Sequence, residues 1–492
     1  MKQYQMLIGG QWVDSASGQW IDSIEPYSGE VVARIPRGTA EDANAAADAA
    51  YAAFRNPEWS EMTATARGAL LRRLAALIEE NAQRLADIER SCNGKNITEV
   101  AGQARNVAQW FYYYAGLADK IQGDVVPINK PGVFNYVRYE PLGVVAAITP
   151  WNSPLALTTW KMAPALACGN TIVVKPSEYT SPPLLELAAL ALEAGFPKGV
   201  VNVVTGYGDE IGAALIEHRK VAKVAFTGGE LGGRKVAQAA ARHFKKVTLE
   251  LGGKSANIVF DDADFEQAVN GAIAGIFGAA GQTCMAGSRL LVQRTLHDRF
   301  VQRLAEVAGQ AVIGDPASDR TQVGPIATRA QYEKILQYIE IAKSEGARCV
   351  LGGKALSGPG YGQGQFVAPT IFTGVHNGMR IAREEVFGPV LAVIPFDTVD
   401  EALDIANDSD FGLAAAVWTQ DLHKAIYCSD RLEAGTVWVN NYRATSFTTP
   451  FGGYKHSGVG REGGVEAVKE YLQPKSVWIT TRPNKANAWV LG

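Results

Sequence analysis

The sequence predicts an α/β protein with two sheet domains and a small β arm. Three observations carry this. Short apolar runs that suit buried strands alternate with helical stretches from Gly143 onward, the pattern of a parallel sheet covered on both faces. A second series of the same kind begins near Ala256. Two further stretches, 121–140 and 475–480, alternate polar and apolar residues outside both series. At 492 residues the chain exceeds one ordinary core, which predicts two or three domains.

Taken in order, the first segment, to about Glu41, reads as short strands and turns. A helical block follows, with Leu70, Leu74, Leu77, Ile78, Leu85 and Ile88 on one face and Cys92 continuing it as a packing residue. Gly143-Val144-Val145-Ala146-Ala147-Ile148-Thr149 is a buried-strand run; Thr171-Ile172-Val173-Val174-Lys175, Val200-Val201-Asn202-Val203-Val204 and Lys223-Val224-Ala225-Phe226 resemble it. The clearest helix between them spans 181–194, with Ser181 as N-cap, Pro182 and Pro183 in the first turn and Gly195 as the stop. The second series has strands at Ala256-Asn257-Ile258-Val259-Phe260 and Arg289-Leu290-Leu291-Val292, and helices over about 265–279 and 297–308. Glycines from Gly352 to Gly364 mark a surface loop. The stretch 121–140, with Pro127 and Pro131, reads as a hairpin, and 475–480 as a second exposed strand. Such strands invite a partner subunit, so the chain is expected to form a homodimer or homotetramer.

Composition narrows the function. Apolar residues make up 47% and charged residues 20%, which is globular rather than disordered. A net charge of -3 gives no attraction to nucleic acid or anionic lipid, so small anionic ligands must be held by local groups. No stretch is long and apolar enough to span a bilayer, so no membrane partner is expected. The five cysteines, Cys92, Cys168, Cys284, Cys349 and Cys428, are odd in number and lack CxxC spacing, which predicts free thiols in a reducing compartment. The first ten residues lack a signal-peptide core, and the expected location is cytoplasmic. The six histidines show no HxxxH or HExxH spacing, so no catalytic metal is expected.

Cys284 lies in Gly281-Gln282-Thr283-Cys284-Met285-Ala286-Gly287, among small neighbours. Upstream, Glu250 is flanked by apolar residues and glycines in Leu249-Glu250-Leu251-Gly252-Gly253-Lys254. A thiolate is a strong nucleophile near neutral pH, and a carboxylate raised by apolar surroundings can act as a general base. The pair points to covalent catalysis followed by hydrolysis. Further motifs are Thr149-Pro150-Trp151-Asn152, Lys175-Pro176-Ser177-Glu178, Phe226-Thr227-Gly228-Gly229, Glu384-Glu385-Val386-Phe387-Gly388-Pro389-Val390 and Pro450-Phe451-Gly452-Gly453-Tyr454-Lys455. Each alone is weak. Together, and in this order, they resemble the NAD(P)-dependent aldehyde dehydrogenase superfamily over nearly the whole chain.

The resemblance implies a Rossmann-like cofactor domain over 1–120 and 141–250, a catalytic α/β domain over 251–455, and an oligomerisation arm and tail over 121–140 and 465–492. It implies NAD-dependent oxidation of a small-molecule aldehyde to a carboxylate. Cys284 would attack the aldehyde to give a thiohemiacetal, then a thioester; Glu250 would activate the hydrolytic water. Asn152, with the backbone N–H of Cys284, would form the oxyanion hole, although an asparagine shortly before Pro154 also suits a plain turn. Lys161 and Glu462 match positions tied to proton movement around the base. Lys175 and Glu178 would hold the adenine ribose, with Trp151, Ser177 and Gly208 in the same cofactor site. Glu178 would repel a 2′-phosphate, so NAD is expected over NADP, with Lys175 leaving NADP possible. Gly228, Gly229 and Gly233 would bring the pyrophosphate to a helix N-terminus. Gly229 and Glu230 depart from the usual serine and threonine. Glu385 and Phe387 would hold the nicotinamide end.

Other readings compete with this one. A CoA-acylating relative tends to lack the glutamate, so Glu250 argues against it. A non-enzymatic protein on the same fold has no use for Cys284, Glu250 and Asn152 together, and an esterase has none for the nucleotide residues. By resemblance the substrate pocket draws on Ser153, Trp160, Thr283, Met285, Thr445 and Phe447. Ser153 and Thr445 stand where many relatives carry aromatic residues, which predicts a more polar or roomier pocket.

Overall fold

The computed structural model describes residues 1–482 and residue 489. Two large sheets dominate it. The first has eight strands in the spatial order Gly458–Val459, Lys246–Glu250, Val221–Thr227, Val144–Ile148, Thr171–Lys175, Val201–Val203, Met6–Ile8, Gln11–Val13. Its five central strands are parallel and its flanking pairs antiparallel. The central runs are apolar because helices cover both faces; every residue of Val144–Ile148 and Thr171–Lys175 is buried. The second sheet has seven strands, in the order Arg348–Leu351, Thr370–Thr373, Val390–Phe396, Arg289–Gln293, Ala256–Val259, Ala414–Trp418, Thr436–Val439. It is parallel apart from Arg348–Leu351.

The strands Val144–Ile148, Thr171–Lys175, Val201–Val203, Val221–Thr227, Ala256–Val259 and Arg289–Gln293 and the helices Pro182–Glu193 and His297–Ala308 lie where the apolar pattern puts them; Lys246–Glu250, Thr370–Thr373, Val390–Phe396, Ala414–Trp418 and Thr436–Val439 are strands that the pattern does not single out. The first segment is short strands and turns up to Pro36, and an alanine-rich helix, Ala40–Arg55, then opens the helical region, with Asp42 Oδ2 accepting from Thr39 N at 2.8 Å. Three details differ. The helical block is two helices, Ala64–Glu80 and Ala82–Asn93, interrupted at Asn81, whose Nδ2 donates back to Leu77 O at 2.8 Å. Ser181 does not cap its helix with its side chain. It already has helical dihedrals (φ -72°, ψ -32°), so its hydroxyl donates backward to Ser177 O at 2.9 Å. The glycine-rich stretch carries a short hairpin, Ala355–Leu356 with Phe366–Val367.

The arm is a three-stranded antiparallel sheet. Leu472–Thr480 pairs along its whole length with Val133–Pro141, which also pairs with Asp124–Val125. The two predicted outlying strands are therefore partners of each other. Phe134, Trp478 and Ile479 stay exposed on this sheet. The part of the predicted tail over 483–488 and 490–492 lies outside the described residues. After the second sheet the chain returns to the first: Gly458–Val459 lies antiparallel beside Lys246–Glu250. That return brings Glu462 close to Glu250.

Candidate active site

Cys284 is delivered by a broken helix end. The helix Phe265–Phe277 gives way at 278–281 to a turn in which Ala279 and Ala280 have φ 53° and 52°. Gly281 follows at φ +71°, and a Cβ there would lie 2.0 Å from Gly388 O, so only glycine fits. Cys284 then emerges half-buried. Burial, and next the carboxylates of Glu250 and Glu385, push its thiol up to about 12. The expected ready thiolate is thus a resting thiol in the unliganded protein, because Lys95, on the wall of one cavity with Cys284, does not offset the thiol's desolvation. The other four cysteines are unpaired as well; Cys92 is buried and also pushed up to about 12.

Cys284 and Asn152 both line two cavities, one of about 130 Å3 and one of about 380 Å3. Asn152 is buried, and its Nδ2 donates to Gln282 O at 3.0 Å, tying it to the cysteine loop. Glu250 ends its strand with both carboxylate oxygens buried and without a hydrogen-bond partner among the described residues. Burial raises its carboxyl well above the ordinary range and Glu462 adds to this, while Lys161 and Arg461 oppose it. Lys161 Nζ donates to Thr227 Oγ1 at 2.6 Å and pairs with Glu462. Glu462 is pinned by mutual backbone bonds with Phe451, 2.6 and 2.7 Å long. Three ionisable groups from distant parts of the chain thus meet in one buried cluster.

The larger cavity is lined by eight more of the expected cofactor residues besides Glu178: Trp151, Lys175, Ser177, Gly208, Gly228, Gly229, Glu385 and Phe387. Gly233 is not on that wall. A Cβ there would lie 2.5 Å from Leu251 Cδ2, so its glycine serves helix–strand packing. Lys175 is buried with Glu178 at 3.6 Å. The helix Glu230–Ala241 starts at Gly229 with no side chain capping it, which leaves first-turn N–H groups for an anion. The negative Glu230 is engaged by Arg234. Phe387 has φ 58° and meets Trp151 edge-on, ring centroids 5.4 Å apart. Gln331 fixes that strained segment by donating to Val386 O at 2.8 Å and Phe387 O at 2.9 Å. Glu385 accepts from Gly253 N at 3.0 Å, and burial raises its carboxyl. A buried cation beside a carboxylate, an uncapped helix start and an aromatic pair suit the hydroxyls, phosphates and ring of a dinucleotide. Gln331 and Lys334 also line this cavity and carried no motif in the sequence.

Ser153, Trp160, Thr283, Met285 and Thr445 line the smaller cavity. Phe447 does not; it packs against Tyr113, ring centroids 5.4 Å apart. Lys95, Gln103 and Arg443 line it unforeseen, since each comes from a segment without a recognisable motif. Among the described residues no group of three or more His, Cys, Asp and Glu side chains could hold a metal, and no helix is long and apolar enough to cross a membrane.

A cysteine and a buried carboxylate beside a cleft bordered by both α/β sheets fit an oxidoreductase of the aldehyde-oxidising class. The chain belongs to the aldehyde dehydrogenase family, whose model matches residues 12–477. It is 46% identical over 481 residues to the (Z)-2-((N-methylformamido)methylene)-5-hydroxybutyrolactone dehydrogenase of Acinetobacter baylyi, covering 97% of each chain. It is 43% identical to retinal dehydrogenase 2 of Homo sapiens, covering 97% of this chain and 92% of that one. Among solved structures, betaine aldehyde dehydrogenase of Staphylococcus aureus in complex with NAD+ superposes with a TM-score of 0.97 at 42% identity, covering 99% of this chain and 96% of that one.

Proposed function

We propose that this protein oxidises an aldehyde to a carboxylate with NAD through a thioester on Cys284. The observation that carries this is the position of Cys284 on the walls of both cavities. The two cavities share Asn152, Leu157 and Cys284, and of these only Cys284 carries a nucleophile for a substrate in one cavity and a dinucleotide in the other to meet at. Lys175, Ser177 and Glu178 would hold the adenosine end, Gly208, Gly228 and Gly229 would border the phosphates, and Trp151, Glu385 and Phe387 the nicotinamide end. When bound, NAD supplies the hydride acceptor. Glu178 beside Lys175 favours a free 2′-hydroxyl over a 2′-phosphate, so NAD is preferred to NADP.

Cys284 gives its thiol proton to water in the open cavity, and its sulfur bonds to the carbonyl carbon. Asn152 Nδ2 and the Cys284 backbone N–H stabilise the negative oxygen. Once that carbon has given up its hydride, a thioester remains on Cys284. Glu250 takes a proton from water as the water attacks; the C–S bond breaks and the carboxylate leaves. Lys161 and Glu462 hold and pass charge behind Glu250. The raised carboxyl makes Glu250, once ionised, a stronger base than an ordinary carboxylate.

We further propose the division into a cofactor domain over 1–120 and 141–250, a catalytic domain over 251–455, and an arm and tail that join copies into a dimer or tetramer. Five free thiols agree with a reducing, cytoplasmic setting. Incubation with NAD and an aldehyde, quenching and peptide mapping by mass spectrometry test the mechanism. An acyl adduct on the Cys284 peptide, absent in Cys284→Ala together with turnover, is expected. Full turnover by Cys284→Ala, or an adduct only elsewhere, overturns it.

A further inference from the structure

The smaller cavity has an unbalanced charge. Two cationic side chains line it, Lys95 and Arg443, and no carboxylate does. Lys95 is 5% exposed. Its ammonium donates to Ser153 Oγ at 2.5 Å and Gln103 Oε1 at 3.2 Å, two neutral acceptors that leave its third N–H over. Arg443 has φ 66° and is tied down from behind. Its Nη2 donates to Glu99 Oε1 at 2.9 Å and its Nη1 to Ala274 O at 3.2 Å. A Cβ on Gly278 would lie 1.8 Å from Nη1, so the glycine makes room for the guanidinium. These bonds use only part of its five-donor fork.

Glu99 is the shared counter-ion. Burial pushes its carboxyl up, but Arg443 and Lys95 outweigh this and hold it below the ordinary range. Its Oε2 also accepts from Ala279 N at 3.0 Å, in the turn that delivers Cys284. Glu89 is the other nearby acid: burial raises its carboxyl and Lys95 opposes this, while burial lowers the Lys95 ammonium and both acids oppose that. Glu89 is already engaged by Leu155 N at 3.2 Å. Neither carboxylate reaches the cavity wall, and both cations on that wall keep N–H donors to spare. An anion entering the cavity can take those donors in charge-assisted hydrogen bonds. The remaining wall is mixed: Asn106, Thr283 and Thr445 stand beside Trp110 and Trp160, which stack with centroids 4.8 Å apart.

We propose that the substrate is a compact oxo acid, an aldehyde whose second, carboxylate end pairs with Arg443 and Lys95 while its carbonyl carbon meets Cys284. This rests on the proposed attack of Cys284 on an aldehyde. At about 10–15 Å3 per water-sized unit, a cavity of about 130 Å3 takes on the order of ten non-hydrogen atoms, the size of a four- to six-carbon oxo acid.

The test compares kcat/KM for 4-oxobutanoate and 5-oxopentanoate with that for butanal and pentanal, using NAD. The oxo acids are expected to lead by at least tenfold. In Arg443→Gln this ratio is expected to fall by at least tenfold, mainly through the oxo-acid KM, and in Arg443→Lys by less. Because Arg443→Gln strands Glu99, Arg443→Gln with Glu99→Gln is the second variant, expected to show the same loss. Equal or better turnover of the neutral aldehydes by the native enzyme overturns the oxo-acid proposal and leaves aldehyde oxidation standing. A binding readout separates the two ideas further: butanedioate is expected to slow iodoacetamide alkylation of Cys284 more than butanediamide does. If no aldehyde is oxidised yet butanedioate protects, the function fails and the anion site stands. Equal protection by both compounds overturns the anion site.

Discussion

Glu250 owes its chemistry to what surrounds it rather than to its type. Both its oxygens are buried without partners, so its raised carboxyl follows from lost hydration first and from Glu462 second. It is a base only once ionised, so kcat should climb with pH through a group well above the usual carboxylate range, and this limb should vanish in Glu250→Gln. In that variant the hydrolytic step should slow by about 10²–10⁴-fold, with thioester accumulating on Cys284; stopped-flow and intact-mass measurements check both, and unchanged deacylation removes Glu250 from the role. The Cys284 thiol, held up to about 12, makes a matching prediction. Alkylation by iodoacetamide should rise about tenfold per pH unit from about pH 7 to about pH 9.5, since the thiolate fraction does. A plateau below about pH 8.5 contradicts it.

Elements place these groups through a few uncomfortable backbone positions. The turn at 278–281 tolerates two alanines in the left-handed region because Glu99 accepts from Ala279 N and Gly281 lies against Gly388. The loop before Val390–Phe396 does the same with Phe387, clamped by Gln331 from the helix Arg329–Ser344. Strain of this kind costs on the order of 1–3 kcal/mol and persists only while its surroundings hold it. Gln331→Leu removes both donors, so Phe387 should relax away from Trp151. The KM for NAD should rise about three- to tenfold in initial-rate measurements; an unchanged KM shows that the clamp is not needed.

For the molecule as a whole, the arm is the part without an internal explanation. Leu472–Thr480 is an edge strand of a three-stranded sheet, and Trp478 and Ile479 on it are 56% and 44% exposed. Aromatic and β-branched side chains on an open edge are an invitation to pair. Native protein should sediment as a dimer or tetramer, and Trp478→Glu should shift it toward smaller species. Monomeric native protein overturns the arm as an oligomerisation surface.

Six strands of the two sheets were legible in the chain because burial on two faces writes itself as apolar runs, and turn residues punctuate them. Cys284 and Glu250 stood out through the glycines and small residues around them, whereas Asn152 was marked only by the family resemblance. What the linear order could not carry was neighbourhood. Lys161, Glu462 and Thr227 lie far apart in sequence and share one buried cluster only because Gly458–Val459 doubles back onto the first sheet. Lys95 and Arg443 look like ordinary surface charges until the fold turns both onto one cavity whose wall holds no carboxylate. Local patterning determines elements and reactive atoms, because those depend on near neighbours. Charge balance in a cavity depends on desolvation by the whole packed molecule, and only the tertiary structure decides it.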